Sequence, residues 1–288
     1  MAAIATTGTV LGLLAGGTAT SALAAPAWRT HVCHGTIRHP GVLVGLNLNV
    51  VVRGLCLVNH GPVSVSHDVL ILPGSALIAA FGQHGSRLIV SGNILVRHGG
   101  TLILGCEPKH FPCVDDPHPK RPTLSSHGWV GGSIIASHAL GVVVHNTWIG
   151  HSVIQFSGGG GLSCNPRGPF AQFHSPAYSD YEDNWIGGSL FVRGVRSCWL
   201  GILRNWIGVN GVVSRNIMAS PDAMEVLGNV VHRDLICWRN HPKVQYGDSH
   251  GTPNRVGLHA FFECGFRRIV PNPAGQHRHF SHISVPLR

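Results

Sequence analysis

Apolar residues occur along this chain in short runs of about four to six positions, separated by glycine, asparagine or other turn-forming residues. Ser189-Leu-Phe-Val192 and Asp234-Leu-Ile-Cys237 are two examples. Runs of this length, rich in Val, Ile and Leu and bounded by turn residues, are typical of β-strands, whereas a surface helix repeats its apolar positions every three to four residues. The pattern therefore predicts an all-β protein without helical segments between the strands.

The strand pattern repeats along the chain. Residues 65–78 read VSHDVLILPGSALI and residues 90–103 read VSGNILVRHGGTLI, so most positions of the two segments match in character. Asn146-Thr-Trp-Ile149-Gly resembles an early copy of a second signature, with one additional residue. The later copies begin at asparagines that are 21, 24 and 25 residues apart: Asn184-Trp-Ile-Gly, Asn205-Trp-Ile-Gly, Asn229-Val-Val-His and Asn254-Arg-Val-Gly.

A period of about 20–25 residues predicts one coil of a parallel β-helix, in which inward Val, Ile and Leu form columns between stacked strands. The recurrent Asn tolerates left-handed backbone, hydrogen-bonds its neighbours and can stack into a ladder at a corner. Gly187 and Gly208 would supply tight turns. The alternative is an antiparallel sandwich, which spaces its short strands in a similar way.

Two polar stretches interrupt the repeat. Residues 105–127 are rich in Pro and contain two cysteines, and residues 157–183 are rich in Gly, Pro and Ser. Both are expected to be surface loops, and in solenoid proteins such insertions often lie on the binding face. We assign residues 25–264 to a single β-helix domain and expect residues 265–288, which lack the asparagine signature, to form a basic, His-rich C-terminal tail.

Composition narrows the class of protein. The chain of 288 residues contains 38 Gly, is 44% hydrophobic and only 11% charged, which excludes a disordered charged protein and disfavours helical bundles. Its formal net charge is +9, but the basic residues are scattered and form no compact stripe. No RNA-binding aromatic motif or zinc-finger spacing occurs, so we expect no nucleic-acid partner.

The N-terminal segment is typical of an export signal. Residues 1–27 carry no charged side chain, and Val10-Leu11-Gly12-Leu13-Leu14 is followed by a cleavage-site pattern at Ala22-Leu23-Ala24. We expect residues 1–24 to be a secretory signal peptide, too short and too rich in Gly and Thr for a membrane span, and the protein to be secreted or associated with the cell envelope. Because no Lys or Arg precedes the apolar run, a mobile apolar N-terminus is the alternative.

All eight cysteines follow the predicted cleavage site. An even number in an exported chain indicates disulfides, although eight cysteines permit 105 pairings. No Cys-x-x-Cys occurs, which disfavours structural zinc and thioredoxin-like chemistry. The grouping of the cysteines predicts four pairs between neighbours: Cys33–Cys56, Cys106–Cys113, Cys164–Cys198 and Cys237–Cys264.

Three segments carry a family resemblance: Asn184-Trp-Ile-Gly-Gly-Ser-Leu, Asp222-Ala-Met-Glu-Val-Leu-Gly-Asn229 and Gly251-Thr-Pro-Asn-Arg-Val256. Over about residues 30–264 the chain resembles the right-handed parallel β-helix (pectate-lyase-like) superfamily. More narrowly, it resembles small exported β-helix proteins of high-GC bacteria. The resemblance implies a right-handed solenoid, but the superfamily contains polysaccharide lyases, hydrolases, epimerases and adhesins, so it assigns no single activity.

Glycan cleavage requires paired carboxylates, and both acidic clusters lie in the predicted loops. Of the polygalacturonase motifs N-T-D, D-D, G-H-G and R-I-K, only Asp115-Asp116 is present, so that activity is not transferred. In a lyase of the pectate-lyase type, Asp180, Glu182 and Asp183 would be the candidate catalytic residues and could bind Ca²⁺. Arg193 or Arg196 would supply the positive charge. The alternative is that the second cluster is a solvated turn beside strand Trp185–Val192.

Tryptophan and histidine offer two further candidates. Trp148, Trp185 and Trp206 precede an inward Ile in successive repeats, so alternation points them outward, where they could bind glycan by stacking on sugar rings. The alternative is a lateral aromatic ladder under the second loop. The 21 histidines match no defined metal-site spacing, so we expect no metal site. His138 and His151 are expected to align with His145 across the repeats. In bulk, the 21 histidines would protonate below about pH 6 and strengthen attraction to anionic polymers.

These observations predict an exported protein that binds glycan or cell-wall polymer without catalysis and without a cofactor. A polysaccharide lyase or glycoside hydrolase, with Ca²⁺ in the case of a lyase, is the first alternative. A structural spacer of the cell envelope that binds no ligand is the second. The sequence leaves the oligomeric state open.

Overall fold

The computed structural model describes residues 29–245 and 252–265. The predicted signal peptide (1–24) and nearly all of the predicted tail (266–288) lie outside the described residues. The described part is almost entirely β-structure, and its only helices are the 3₁₀ turns Gln83–Gly85, Gly168–Phe173 and Glu263–Gly265. No helix within these ranges is long and apolar enough to cross a bilayer.

Short strands follow one another along the chain. The first fourteen are β1 (Thr30–Gly35), β2 (Gly41–Val42), β3 (Leu46–Asn47), β4 (Asn49–Leu57), β5 (Pro62–Val65), β6 (Val69–Ile71), β7 (Ala76–Ala79), β8 (Arg87–Val90), β9 (Ile94–Val96), β10 (Thr101–Leu104), β11 (Gly128–Val130), β12 (Ile134–Ser137), β13 (Gly141–His145) and β14 (Thr147–Ile149). The others are β15 (Val153–Phe156), β16 (Ser179–Glu182), β17 (Trp185–Ile186), β18 (Leu190–Arg193), β19 (Arg196–Ser197), β20 (Leu200–Leu203), β21 (Trp206–Ile207), β22 (Gly211–Ser214), β23 (Ile217–Met218), β24 (Met224–Leu227), β25 (Val230–Val231), β26 (Leu235–Trp238), β27 (Arg255–Val256) and β28 (Ala260–Phe262).

Most of these strands belong to three long sheets. Sheet I contains β1, β4, β6, β9, β12, β15, β18, β22, β26 and β28; sheet II contains β2, β4, β7, β10, β13, β16, β20 and β24. The first part of β4 pairs in sheet I and its last part in sheet II, which joins the two into one network. Sheet III contains β3, β5, β8, β11, β14, β17, β21, β25 and β27, and β19 pairs separately with β23.

Every pairing between these strands is parallel. An antiparallel sandwich would join neighbouring strands by hairpins, so that alternative is wrong for the described residues. The chain instead visits sheet III, sheet I and sheet II in turn before it returns to sheet III. Each strand therefore pairs with the equivalent strand of the next repeat.

Columns of apolar side chains fill the interior. On sheet I, register aligns Val69 with Ile94, Ile94 with Ile134 and Ile134 with Val153, and all four are buried. Because side chains alternate between the two faces of a strand, every second residue of these short runs enters the same core. Burying one such side chain stabilises the fold by roughly 1.5–3 kcal/mol, so repetition of the column accounts for stability with few charged residues.

The recurrent asparagines form a ladder at the corner between sheets II and III. The Nδ2 of Asn184 donates to Oδ1 of Asn205 at 2.9 Å, and Asn205 donates in the same way to Asn229 at 3.0 Å. The left-handed backbone lies one residue earlier than predicted, because Asp183 and Arg204 have φ of 55° and 54°. In the early copy of the signature, Asn146 itself has the left-handed backbone, and Thr147 stands at the position that asparagine occupies in the later copies. This shift accounts for the additional residue of the early copy.

Both insertions pack on the outer face of sheet II. A second apolar cluster lies there, outside the main core, and joins residues of the sheet to residues of both insertions: Leu57, Ile78, Ile103, Val143, Cys106, Phe111, Cys113, Phe170, Phe173 and Tyr178. The second insertion is shorter than predicted. β16 begins at Ser179, so Asp180 and Glu182 belong to a strand of sheet II and not to a loop.

The eight cysteines form four disulfides, and these are the pairs that their grouping along the chain predicted: Cys33–Cys56, Cys106–Cys113, Cys164–Cys198 and Cys237–Cys264. Such bonds persist in oxidising compartments and are rare in the cytosol. The disulfides therefore indicate an oxidising, extracellular type of environment.

Candidate functional site

Four tryptophans, which we call the tryptophan stack, lie on the outer face of sheet III: Trp129, Trp148, Trp185 and Trp206. Successive ring centroids are 5.0, 5.1 and 4.9 Å apart, and the ring planes are within 6° of parallel. Three members were predicted to point outward. Trp129 was missed, although Trp129-Val-Gly-Gly repeats the pattern of Trp185-Ile-Gly-Gly.

The stack presents the edges of its rings to solvent. The two inner rings contact another ring on both faces, and each tryptophan is only 36–38% exposed. Glycine makes room for the rings, since a Cβ on Gly187 would lie 3.0 Å from the ring of Trp185 and 2.4 Å from the carbonyl oxygen of Gly150. The arrangement is thus a lateral ladder, open to solvent, and a ligand would meet ring edges along most of its length.

An open cleft of about 430 Å³ runs along one side of the stack. Trp129, Trp148 and Trp185 line it, whereas Trp206 is not among its lining residues. The polar part of the lining comes from sheet III, the end of the first insertion and the corner between sheets II and III: Arg87, His127, Asn146, Thr147 and Asp183. The cleft therefore combines three aromatic edges with a cation, an imidazole and a carboxylate.

Next to the cleft, the residues of the second acidic cluster converge on a histidine. In sheet II, His145 of β13 pairs in register with Glu182 of β16, and Asp180 lies two residues before Glu182 on the same outer face. The Nε2 of His145 is 3.1 Å from Oδ2 of Asp180, and Nδ1 is 3.9 Å from Oε2 of Glu182. Phe111 of the first insertion stacks on the imidazole, with ring centroids 4.1 Å apart.

The arginine of this cluster is Arg204. Its Nη2 donates to Glu182 Oε2 at 2.6 Å and to Asp183 Oδ2 at 2.7 Å, and its Nε also donates to Asp183. The structure does not bring Arg193 or Arg196 to this cluster, since both are exposed and lie on β18 and β19, away from this corner. Strands that follow Asp183 closely in sequence belong to other sheets. Its neighbour in space is the residue at the equivalent position one repeat later, which is Arg204.

The alternative interpretation of the acidic cluster as a solvated turn was wrong. Asp180 is 4% exposed and Glu182 7% exposed, beneath the insertions that cover sheet II. The other acidic pair is structural. Asp115 accepts hydrogen bonds from the backbone N–H groups of Gly82 and Gln83, and Asp116 accepts three from its own loop.

Burial dominates the protonation of the cluster. Desolvation raises the pKa of Asp180 and of Glu182 to about 8 and lowers the pKa of His145 to about 4. At pH 7 the imidazole is therefore neutral, and its contact with Asp180 is not a pair of full charges. Nearby, burial and a hydrogen bond with Asp183 raise the pKa of Glu107 to about 8, while Arg204 holds the pKa of Asp183 below its usual value.

The buried trio His145, Asp180 and Glu182 could hold a metal ion, because one donor atom of each lies within 4.8 Å of the others. The sequence predicted no metal site, and spacing could not reveal this one because the second insertion separates the histidine from the carboxylates. Asp180, Glu182 and Asp183 do not fit Ca²⁺, which takes six to eight oxygen ligands. Arg204 occupies oxygens of two of these carboxylates, and the remaining neighbour is an imidazole.

The three histidines expected to align do not. His138 follows β12 in sheet I, His145 ends β13 in sheet II, and His151 follows β14 in sheet III. Their separation of six or seven residues carries the chain from one sheet to the next within a repeat. His138 instead lies near His98 of the preceding repeat, with ring centroids 6.1 Å apart.

Comparison with known proteins finds no matching family model, and no significant match among curated proteins or solved structures. The long parallel sheets are compatible with the fold that the sequence resemblance implies. An account of the function therefore depends on the cleft, the tryptophan stack and the buried cluster.

Proposed function

We propose that the chain is an exported right-handed parallel β-helix of the pectate-lyase-like class that binds an acidic polysaccharide in the cleft beside the tryptophan stack. The solenoid is supported by parallel pairing of equivalent strands about one repeat apart, as for Trp185 with Trp206. Export is supported by the four disulfides and by the N-terminal segment of the sequence.

The cleft is the observation that carries this proposal. Ligand sites are typically concave, of about 300–1,000 Å³, with aromatic walls and a few polar groups that orient the ligand. The cleft has about 430 Å³, and the edges of three tryptophans form one wall. Sugars offer both C–H surface for such a wall and hydroxyl groups for polar side chains of the lining such as Arg87 and Asn146.

Charge favours an acidic polymer. Arg87 contributes a cation to the cleft, and the carboxylate of Asp183 is neutralised by the guanidinium of Arg204 at 2.7 Å. The whole chain carries a formal charge of +9, which favours encounter with polyanions.

A matched pair of end residues of the stack tests the proposal. Trp129 and Trp206 each stack against one tryptophan neighbour, but only Trp129 lines the cleft. In retention assays on acidic and neutral polysaccharides, we expect Trp129→Ala to weaken binding to the acidic polymer at least 10-fold and Trp206→Ala less than 2-fold. Equal effects of the two variants, or no retention by the wild-type protein, would overturn binding in this cleft.

Glu107 and Asp183 support a second candidate, a polysaccharide lyase or glycoside hydrolase. Their environments move the two carboxyl pKa values in opposite directions, as in enzymes that divide acid and base roles between two carboxyls. The same assay therefore monitors reducing ends and the absorbance of unsaturated products. If product forms and both Glu107→Gln and Asp183→Asn abolish it, the enzyme is favoured. If the wild-type protein shows no retention and forms no product, the structural spacer is the alternative that remains.

A further inference from the structure

We propose that His145, Asp180 and Glu182 bind one divalent transition-metal ion, for which Zn²⁺ is the best match. The three side chains project from the outer face of neighbouring strands β13 and β16, beneath the first insertion. One donor atom of each lies within 4.8 Å of the others. This site is separate from the proposed polysaccharide cleft, since none of the three residues lines it.

Unsatisfied buried atoms are the second observation. His145 is 1% exposed, and among the described residues neither of its ring nitrogens has a hydrogen-bond partner; Oδ1 of Asp180 also has none. Leaving such a group buried and unpaired costs about 1–3 kcal/mol. A bound cation would satisfy both an imidazole lone pair and carboxylate oxygens at the same point.

The contact between His145 and Asp180 has the geometry of two ligands of one ion. Their Nε2 and Oδ2 atoms are 3.1 Å apart, yet the angle is unsuitable for a hydrogen bond. Two donors that lie about 2.0–2.1 Å from a tetrahedral Zn²⁺ are separated by about 3.3 Å, with their lone pairs directed at the ion and not at each other. One donor atom of Glu182 lies within 4.8 Å of a donor atom of each of the other two residues, so small movements of the side chains would bring all three into one shell.

The donor set selects the class of metal. One imidazole nitrogen with two carboxylate oxygens suits Zn²⁺ and similar first-row ions, whereas Ca²⁺ and Mg²⁺ prefer oxygen ligands alone. Zn²⁺ commonly takes three protein ligands and leaves a fourth position for water. Arg204 donates to Glu182 at 2.6 Å, and Phe111 stacks on the imidazole, so both groups orient ligands as the neighbours of metal ligands usually do.

Such an ion would link two neighbouring strands of sheet II, one in the repeat before the second insertion and one directly after that insertion. β13 ends at His145 and β16 begins at Ser179, so the metal would close a long stretch of chain at the corner that carries the cleft. Binding to the folded chain alone raises its apparent stability with metal concentration. We therefore expect Zn²⁺ to raise the melting temperature of the stripped protein and Mg²⁺ to leave it unchanged.

The test uses the full mature protein, stripped with a chelator and reloaded with Zn²⁺ or Co²⁺. We expect one ion per chain to survive gel filtration, and Co²⁺ to give the visible absorption of a four-coordinate site. Asp180→Asn, which preserves shape, should weaken Zn²⁺ binding at least about 100-fold. His151→Gln is the matched control for adsorption on surface histidines and should leave the affinity unchanged.

X-ray absorption of the Zn²⁺-loaded wild-type protein keeps the proposal testable even if a variant does not fold. If His145, Asp180 and Glu182 bind the ion, the spectrum should show one imidazole nitrogen next to Zn²⁺ and only oxygen atoms as the other ligands. Two or more imidazoles, no retained ion, or equal retention by wild type and a folded Asp180→Asn variant would each overturn the site.

Discussion

Replacing Asn205 by Ala removes one member of the asparagine ladder beside the carboxylate cluster. Asn205 is buried, and its Nδ2 donates to the carbonyl oxygen of Tyr181 at 2.7 Å and to Oδ1 of Asn229 at 3.0 Å. Its Oδ1 accepts from the backbone N–H and the Nδ2 of Asn184, at 3.1 and 2.9 Å. The substitution thus deletes four hydrogen bonds that join three repeats.

The magnitude follows from the groups that lose a partner. The backbone N–H of Asn184 and one hydrogen of its amide lose their partner, and the carbonyl of Tyr181 loses one donor, whereas Oδ1 of Asn229 keeps the backbone N–H of residue 205 at 2.9 Å. A buried polar group without a partner costs about 1–3 kcal/mol. With partial relaxation, we expect Asn205→Ala to lower the free energy of unfolding by about 4 kcal/mol.

Urea unfolding monitored by tryptophan fluorescence measures this loss. Asn210→Ala is the matched control in the same repeat. Within the described residues, the half-buried Asn210 side chain accepts only one long hydrogen bond, 3.2 Å from the backbone nitrogen of Asp234. We expect the control to lose less than about 1 kcal/mol. Losses for the two variants that agree within about 1 kcal/mol would refute the assignment of this stability to the ladder.

Two further predictions concern the buried cluster and the tryptophan stack. In metal-free protein, burial raises the pKa of Asp180 from 3.8 to about 8, so the folded chain keeps a proton that the unfolded chain releases, and the free energy of unfolding falls as pH rises towards 8. Burial lowers the pKa of His145 from 6.5 to about 4, so this residue has the opposite effect, but only below pH 6.5. Urea titrations between pH 6.5 and 8 should therefore show a free energy of unfolding that falls with pH, and Asp180→Asn should reduce this slope. An unchanged slope in the variant contradicts the prediction. Gly187→Ala would bring a Cβ within 2.4 Å of the Gly150 oxygen and 3.0 Å of the Trp185 ring. We therefore expect the free energy of unfolding to fall by about 1–3 kcal/mol and the near-ultraviolet circular dichroism signal of the stack to weaken. An unaltered spectrum would show that the ring tolerates the methyl group.

Several site features could be predicted because they repeat with the chain. The outward direction of Trp148 and Trp185 follows from alternation next to an inward Ile, and stacking follows from parallel pairing in register. Alternation does not predict the spacing of the rings. In the structure the rings stack face against face, so only their edges are left for a ligand. The proposed contact with sugars is therefore the cleft beside the ring edges, and not stacking on the ring faces.

Other features could not be predicted because they join residues that are distant in sequence. Arg204 meets Asp183 only because both follow equivalent strands one repeat apart, although Asp183-Asn184 and Arg204-Asn205 carried that signal. Glu107 reaches the same corner from the first insertion, whose path has no repeat to guide a prediction. The burial of Asp180 depends on both insertions folding back over sheet II.

The sequence by itself determined the strands, the repeat, the corner asparagines and the grouping of the cysteines, because alternation, turn chemistry and a constant period act over one repeat of about 20–25 residues. The tertiary structure decided which side chains share the carboxylate cluster and how deeply they are buried. The physical reason is that each repeat passes through three sheets, so a residue's neighbours in space come from the repeats above and below and from insertions of irregular length. The chemistry of His145, Asp180 and Arg204 exists only at that level.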